Sequence, residues 1–317
     1  MLLPGDQLEE LCTQARSEII FVAPFIKTSA LERLLSIIPN AINLSCVTRW
    51  RPEEIIAGVS DLDVWHLITR CENASLWLRP DLHAKYYRSD HNCLVGSANI
   101  TSTALGWLRQ ANLELLVPLS AQEPQLKKFE SELFLGSVQV SQTIFEQMQQ
   151  TVELLQKQLP EIQNFRVATE LELEVEAFSI VTAETWLPAL RNPEDLYLAY
   201  HGRFEELSRA SCQAVLQDLS VLTLPVGLSK SAFQVYVGSL ILQMPIVNRV
   251  DKFLEIPQRF GAVKDLLTSL LCNQNLEFDA AHAWQTLMRW LRYFLPSRYT
   301  LSIPNHSEVF GRSRTSI

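Results

Sequence analysis

The chain has 317 residues, 47 % of them apolar and 20 % charged, with a formal net charge of −8. That length serves two ordinary domains or one large one, and the composition is globular, with ample material for a core. The acidic balance counts against a large sequence-blind DNA-coating surface, while a local basic cleft stays open because fields follow local placement.

The opening "MLLPGDQLEELC" carries acidic residues where a secretion signal carries basic ones, and no apolar run reaches bilayer-spanning length. A cytoplasmic protein without a membrane association is expected. Cys12, Cys46, Cys71, Cys93, Cys212 and Cys272 form no CxxC pair and sit mostly in apolar segments. Buried free thiols are expected, rather than a zinc site or a disulfide framework.

"EIIFVAPFI" (18–26) reads as a buried strand ending at a proline. "SALERLLSII" has helical apolar spacing with Ser29 as its cap, and "INLSCVTRW" (42–50) is a second strand. "RPEEIIAGVSDLDVW" opens as a helix does, with Pro52 and two glutamates. "ASLWLRP" (74–80) is a third strand, and "AKYYR" and "NCLVGS" are two more, joined by a polar "SDHN" turn. "ANLELLVPL" (111–119) is another strand. Strands alternating with helices predict an α/β sheet layer. Ile144, Met148, Val152, Leu155 and Leu159 share a helical face, and Pro160 ends that helix. A domain boundary is placed there, dividing the chain into 1–160 and 161–317.

Beyond the boundary, "TELELEVEAF" alternates strictly, with Glu170, Glu172, Glu174 and Glu176 on one side. Charges spread along a strand do not converge on a metal ion, so a solvated face is expected. From about residue 184 the pattern is mainly helical. "FDAAHAWQTLMRWLRYFL" has Asp279 as cap, a stripe of Trp284, Leu287, Met288, Leu291 and Leu295, and Arg289 and Arg292 off it. It reads as a core helix. The tail carries Arg298, Arg312 and Arg314 and reads as a flexible basic end.

The chemistry concentrates in "DLHAKYYRSDHNCLVGSANIT" (81–101). Residues two apart in an extended segment point to one side, so His83 and Lys85 project together. A histidine serves as nucleophile or proton donor, and a lysine holds a phosphate oxyanion. Gly96 lets the backbone turn tightly, and Ser97 and Asn99 add polar groups aimed at the same spot. Such a set suits phosphoryl transfer with electrostatic stabilisation and no metal.

These residues resemble the HKD motif of the phospholipase D superfamily: HxK, four residues, Asp, six residues, then Gly-Ser-x-Asn. His83, Lys85, Asp90, Gly96, Ser97 and Asn99 fit it, with five residues rather than six between Asp90 and Gly96. The resemblance covers residues 1 to about 120 and implies a mixed sheet flanked by helices, followed here by a mainly helical second domain. It implies that His83 attacks phosphorus to form a phosphohistidine, without metal or cofactor. Lys85, Ser97 and Asn99 would then bind substrate, Ser97 and Glu114 would orient or polarise their neighbours, and Asp90 would belong to the catalytic set.

That mechanism needs two histidines. Among His66, His83, His91, His201, His282 and His306, only His83 is followed by a lysine two residues on. His91 is expected in a solvent-facing turn and His66 in packing. A homodimer pooling His83 and Lys85 of both chains is therefore expected. The single motif favours a nuclease, DNA ahead of RNA, in bacterial defence or restriction and with protein partners of such a system. The alternatives are a lipid phosphodiesterase or transferase, or a non-catalytic nucleic-acid-binding subunit of a defence complex.

Overall fold

The computed structural model describes residues 3–39, 41–158, 182–271, 278–303 and 308–313. "TELELEVEAF", Leu159, Pro160, Cys272, His306 and Arg314 lie outside them. The chain divides into two compact units, Met1–Gln156 and Lys157–Ile317.

The N-terminal unit runs α1 (Pro4–Thr13), β1 (Glu18–Val22), α2 (Thr28–Leu35), β2 (Asn43–Thr48), α3 (Pro52–Ile56), α4 (Val64–Ile68), β3 (Ala74–Leu78), β4 (Tyr86–Ser89), β5 (Asn92–Gly96), β6 (Leu116–Ser120), α5 (Pro124–Leu135), β7 (Val138–Gln139) and α6 (Gln142–Gln158). Its seven-stranded sheet has the order β6-β5-β4-β1-β2-β3-β7. β1, β2 and β3 are parallel, and β4, β5, β6 and β7 add antiparallel pairs. The predicted α/β class and mixed sheet are therefore present.

β1 lies at the centre because it is apolar on both faces. Ile19 and Phe21 join Leu44, Cys46, Leu76, Tyr87 and Leu94 under the helices on one face. Ile20 and Val22 join Val47, Tyr86 and Cys93 on the other, against Leu133 of α5. The two-residue period sorts neighbouring side chains to opposite cores. Ile144, Met148, Val152 and Leu155 of α6 are buried as their spacing predicts.

Several expectations change. The ladder of β1 stops at Val22, since Pro24 has no N–H to donate, and Ile26 instead forms an isolated bridge with Ile100. The single helix expected over 51–65 is two short ones, α3 and α4. Between them Gly58 takes φ +70°, and Asp61 accepts from Thr28 N at 2.9 Å and from Lys27 Nζ. Asp61 thus serves the start of α2, where Ser29 was the expected cap; the helix already begins at Thr28. The strand expected over 111–119 begins only at Leu116.

The C-terminal unit runs α7 (Asp195–Tyr200), α8 (Arg209–Val221), α9 (Lys230–Ile241), α10 (Pro245–Phe253), β8 (Gln258–Arg259), α11 (Phe260–Leu271), α12 (Ala280–Phe294), β9 (Tyr299–Ser302) and β10 (Val309–Arg312). Its described residues are mainly helical, with a small β8-β10-β9 sheet. Asp279 caps α12 as expected, accepting from Ala281 N and His282 N at 3.0 Å each. Trp284, Leu287 and Leu291 are buried, and Trp290, absent from the expected stripe, is buried with its indole N–H on Leu190 O at 2.7 Å.

Over its described residues, 298–303 and 308–313, the tail is anchored rather than a free basic end. Arg298 and Arg312 both grip the buried carboxylate of Asp251 on α10, each through Nη2 at 2.6 Å, and Tyr299 donates to it at 2.6 Å. One buried carboxylate against two guanidinium groups is costly to leave unpaired, so it ties the β9–β10 segment to α10. Of the described cysteines, Cys12, Cys46 and Cys93 are buried and Cys71 and Cys212 half-buried, all as free thiols. No described helix is long and apolar enough to cross a membrane.

Candidate active site

The motif straddles one hairpin. β4 and β5 pair from Tyr86↔Val95 to Ser89↔Asn92. His83 and Lys85 therefore precede β4 at the same end of the sheet where Gly96, Ser97 and Asn99 leave β5. The carboxyl ends of parallel β1 and β2 lie at that end too, since β4 runs antiparallel to β1. Open α/β sheets place ligands there.

His83 and Lys85 lie in the segment before β4 rather than on a strand. That segment is pinned from β2. Arg49 Nη1 donates to Leu82 O at 3.0 Å, Arg51 Nη2 donates to Pro80 O at 3.4 Å, and Arg79 N donates to Thr48 O at 2.9 Å. Arg49 is itself held by Glu54 and stands over the Phe25 ring, 5.5 Å from its centroid. The sequence reading overlooked Arg49 and Arg51. The signal was available: "TRWRPEE" puts two cations at the carboxyl end of a strand expected in a parallel sheet.

His83 is exposed, and Lys85 Nζ donates to its carbonyl at 2.8 Å. Partial burial pulls the Lys85 ammonium below the usual lysine range; the Arg49 charge adds to this, and Glu114 opposes both. Glu114 and Arg49 thus bracket Lys85 electrostatically.

Gly96 is required by a close approach. A Cβ there would lie 1.8 Å from Leu115 O. The gap lets residues 111–115 cross the end of β5. Ser97 N donates to Leu115 O at 3.0 Å, Leu115 N donates to the Ser97 hydroxyl oxygen at 3.1 Å, and that hydroxyl donates to Glu114. These bonds replace strand pairing and explain why β6 starts late. They also correct part of the substrate-binding expectation: the one proton of Ser97 is committed to Glu114, so Ser97 positions the 114–115 segment. Glu114 also accepts from Asn112 Nδ2 at 3.2 Å. Among the described residues it makes no hydrogen bond to His83. Asn99 Oδ1 accepts from Phe25 N at 3.4 Å, which leaves its two amide N–H donors for an anion.

Asp90 is not with the others. It sits in the two-residue turn at the opposite end of the hairpin, at φ +50°, a conformation Asp tolerates better than most residues. Its carboxylate accepts from Arg16 N at 2.8 Å, Ser17 N at 3.0 Å, Glu18 N at 3.1 Å and the Ser17 hydroxyl. It fastens the hairpin tip to the start of β1. Burial alone would raise its pKa, but the Ser17 hydroxyl and three backbone N–H groups outweigh that and hold it at about 2. Asp90→Ala should lower stability by about 1–3 kcal/mol in urea titrations at pH 7 while leaving kcat intact. Because the folded carboxyl titrates below its unfolded value of 3.8, this stabilisation is full above that pH and is lost as pH falls toward 2. The gap between wild type and variant should close over that window.

His66 packs its ring on Phe145, centroids 4.9 Å apart. His91 is exposed in the distal turn and meets Gln122 Nε2 at 3.0 Å. Among the described residues no three His, Cys, Asp or Glu side chains converge as a metal set.

No family model and no curated protein matches the sequence. Solved structures similar to it include the following two. NucT from Helicobacter pylori shares 14 % identity at a TM-score of 0.31, over 41 % of this chain and 84 % of its own. Phosphatidylserine synthase from Haemophilus influenzae Rd KW20 shares 12 % at a TM-score of 0.39, over 65 % of this chain and 58 % of its own. In the N-terminal unit, His83, Lys85, Ser97, Asn99 and Glu114 lie at one sheet end, and Asp90 lies at the other.

Proposed function

We propose that the N-terminal unit is a phosphodiesterase that works through a phosphohistidine on His83, with nucleic acid, DNA ahead of RNA, as its substrate. The observation that carries this reading is the gathering of Lys85, Asn99 and the Ser97–Glu114 pair around the pinned His83 segment. In this reading the His83 imidazole attacks phosphorus and the ester oxygen leaves with a proton from a second imidazole. Water, activated by that second ring, then displaces phosphorus from His83. Lys85 and the Asn99 amide hold the non-bridging oxygens as negative charge builds. Arg49 and Arg51 position the nucleophile's segment.

The second imidazole is His83 of a second copy, which makes the unit a homodimer with a shared site. Leu113, Leu115, Val117 and Leu119 support this. They are exposed, alternate along the chain, and continue from Glu114, which Ser97 holds at the site. Directed at foreign DNA, such an activity would serve restriction or defence alongside other proteins.

The test is incubation of the full chain with single-stranded DNA, double-stranded DNA, RNA and a lipid phosphodiester, all in chelator. DNA cleavage supports the proposal. Turnover of lipid alone replaces it with a lipid enzyme, and no turnover by a confirmed dimer replaces it with a binding subunit. If Lys85 must be charged, the alkaline limb of kcat/KM lies below the ordinary lysine value. Glu114→Gln, by removing the carboxylate that opposes the shift, should move that limb to still lower pH. A limb that stays in place detaches Lys85 from the chemistry.

A further inference from the structure

The C-terminal unit holds a cavity of about 710 Å³ between the segment before α7 and the polar face of α12. That volume is in the range of small-ligand sites. Arg191, Arg289 and Arg292 line it, together with Tyr293, Glu194 and Glu308. Arg289, Arg292 and Tyr293 share one side of α12 through their three- and four-residue spacings.

Among the described residues, none of the three arginines makes an ion pair, although two carboxylates line the same space. Arg289 Nη1 and Tyr293 Oη are both buried and lack a hydrogen-bond partner. Orphaned buried polar groups are rare in folded proteins and costly, and these two belong to side chains that line the cavity. Elsewhere in this unit, by contrast, Arg298 and Arg312 are fully paired on Asp251.

We infer that this cavity binds a phosphate-bearing ligand of nucleotide size. Its phosphate would meet the guanidinium groups, which form charge-assisted bonds to phosphate oxygens. Glu194 and Glu308 would accept from sugar hydroxyls or base amino groups, and Met288 and Leu301 supply apolar wall. The phosphate can come from a free nucleotide or from a nucleotide within a strand. The inference does not depend on the phosphodiesterase reading.

The test titrates the full-length His83→Ala chain, which cannot turn substrate over in the proposed mechanism, with N-methylanthraniloyl-ADP and with a fluorescein-labelled single-stranded DNA 12-mer. Arg191→Gln and Arg289→Gln are then added singly. Each should weaken the responding probe about tenfold, the size of one lost charge-assisted contact. Weaker ADP binding identifies a free-nucleotide site. A change confined to the oligonucleotide identifies a strand phosphate in the same cavity. Arg191 is exposed and makes no side-chain bond among the described residues, so its variant should keep the wild-type melting temperature. In the wild-type background it should also leave hydrolysis of bis(p-nitrophenyl) phosphate unchanged. If neither probe binds at millimolar concentration, or both bind equally well to both variants, the inference is overturned.

Discussion

His83→Ala is expected to reduce phosphodiester cleavage by a factor on the order of 10⁴ or more, the usual consequence of deleting a covalent nucleophile. The protein should otherwise be undisturbed. The imidazole is exposed and makes no side-chain hydrogen bond among the described residues, and only its backbone carbonyl is engaged, by Lys85. Exposed substitutions of this kind change stability by roughly 0.5 kcal/mol or less. The melting temperature should therefore hold while the rate collapses, which separates chemistry from folding. A second readout is covalent. A substrate labelled at the scissile phosphorus should transfer label to the wild-type chain in an alkali-stable, acid-labile bond, and the variant should stay unlabelled. An undiminished rate in His83→Ala, with wild-type labelling absent, would end the catalytic reading.

The second large effect concerns the apolar row. Val117→Asp combined with Leu119→Asp is expected to turn a dimer into a monomer in sedimentation experiments and to cut activity at least about 100-fold at the same protein concentration. Val117 is 42 % and Leu119 43 % exposed, so neither needs its apolar side chain to fold this unit. Burying such side chains against a partner is worth about 1.5–3 kcal/mol each, and a carboxylate in their place reverses the sign. Both lie on β6, at the sheet edge, clear of the Ser97–Leu115 bonds, so the loss would come from assembly. Pro118 between them has no N–H, which blocks ladder extension through that position and favours contact by side chains rather than by strand addition. Wild-type specific activity should correspondingly fall on dilution. A fully active wild-type monomer would refute the shared site. Vesicle binding by the wild type that vanishes in this variant would assign the row to a lipid surface instead.

Much of the candidate site's layout was legible because it is local. His83, Lys85, Gly96, Ser97 and Asn99 belong to one hairpin, and a hairpin's geometry follows from strand alternation and a short turn. Asp90 belongs to the same hairpin and was misread. Its spacing matched the motif nearly as well, but strand length carries it to the far end. There its partners are Arg16, Ser17 and Glu18, more than seventy residues earlier. Spacing cannot distinguish a carboxylate serving chemistry from one serving a distant backbone. The tail failed for a related reason. Arg298 and Arg312 look like solvated charge until Asp251, forty-seven and sixty-one residues away, is placed between them.

The sequence alone determined the α/β alternation and the placing of His83, Lys85, Ser97 and Asn99 around one hairpin, since each follows from patterns within a few residues. Tertiary structure alone decided that Arg49 and Arg51 pin the His83 segment, that Ser97 spends its proton on Glu114, and that Arg191, Arg289 and Arg292 of the second unit line one cavity. Those facts depend on which remote segments come within a hydrogen bond's reach, and that is set by how the whole chain packs.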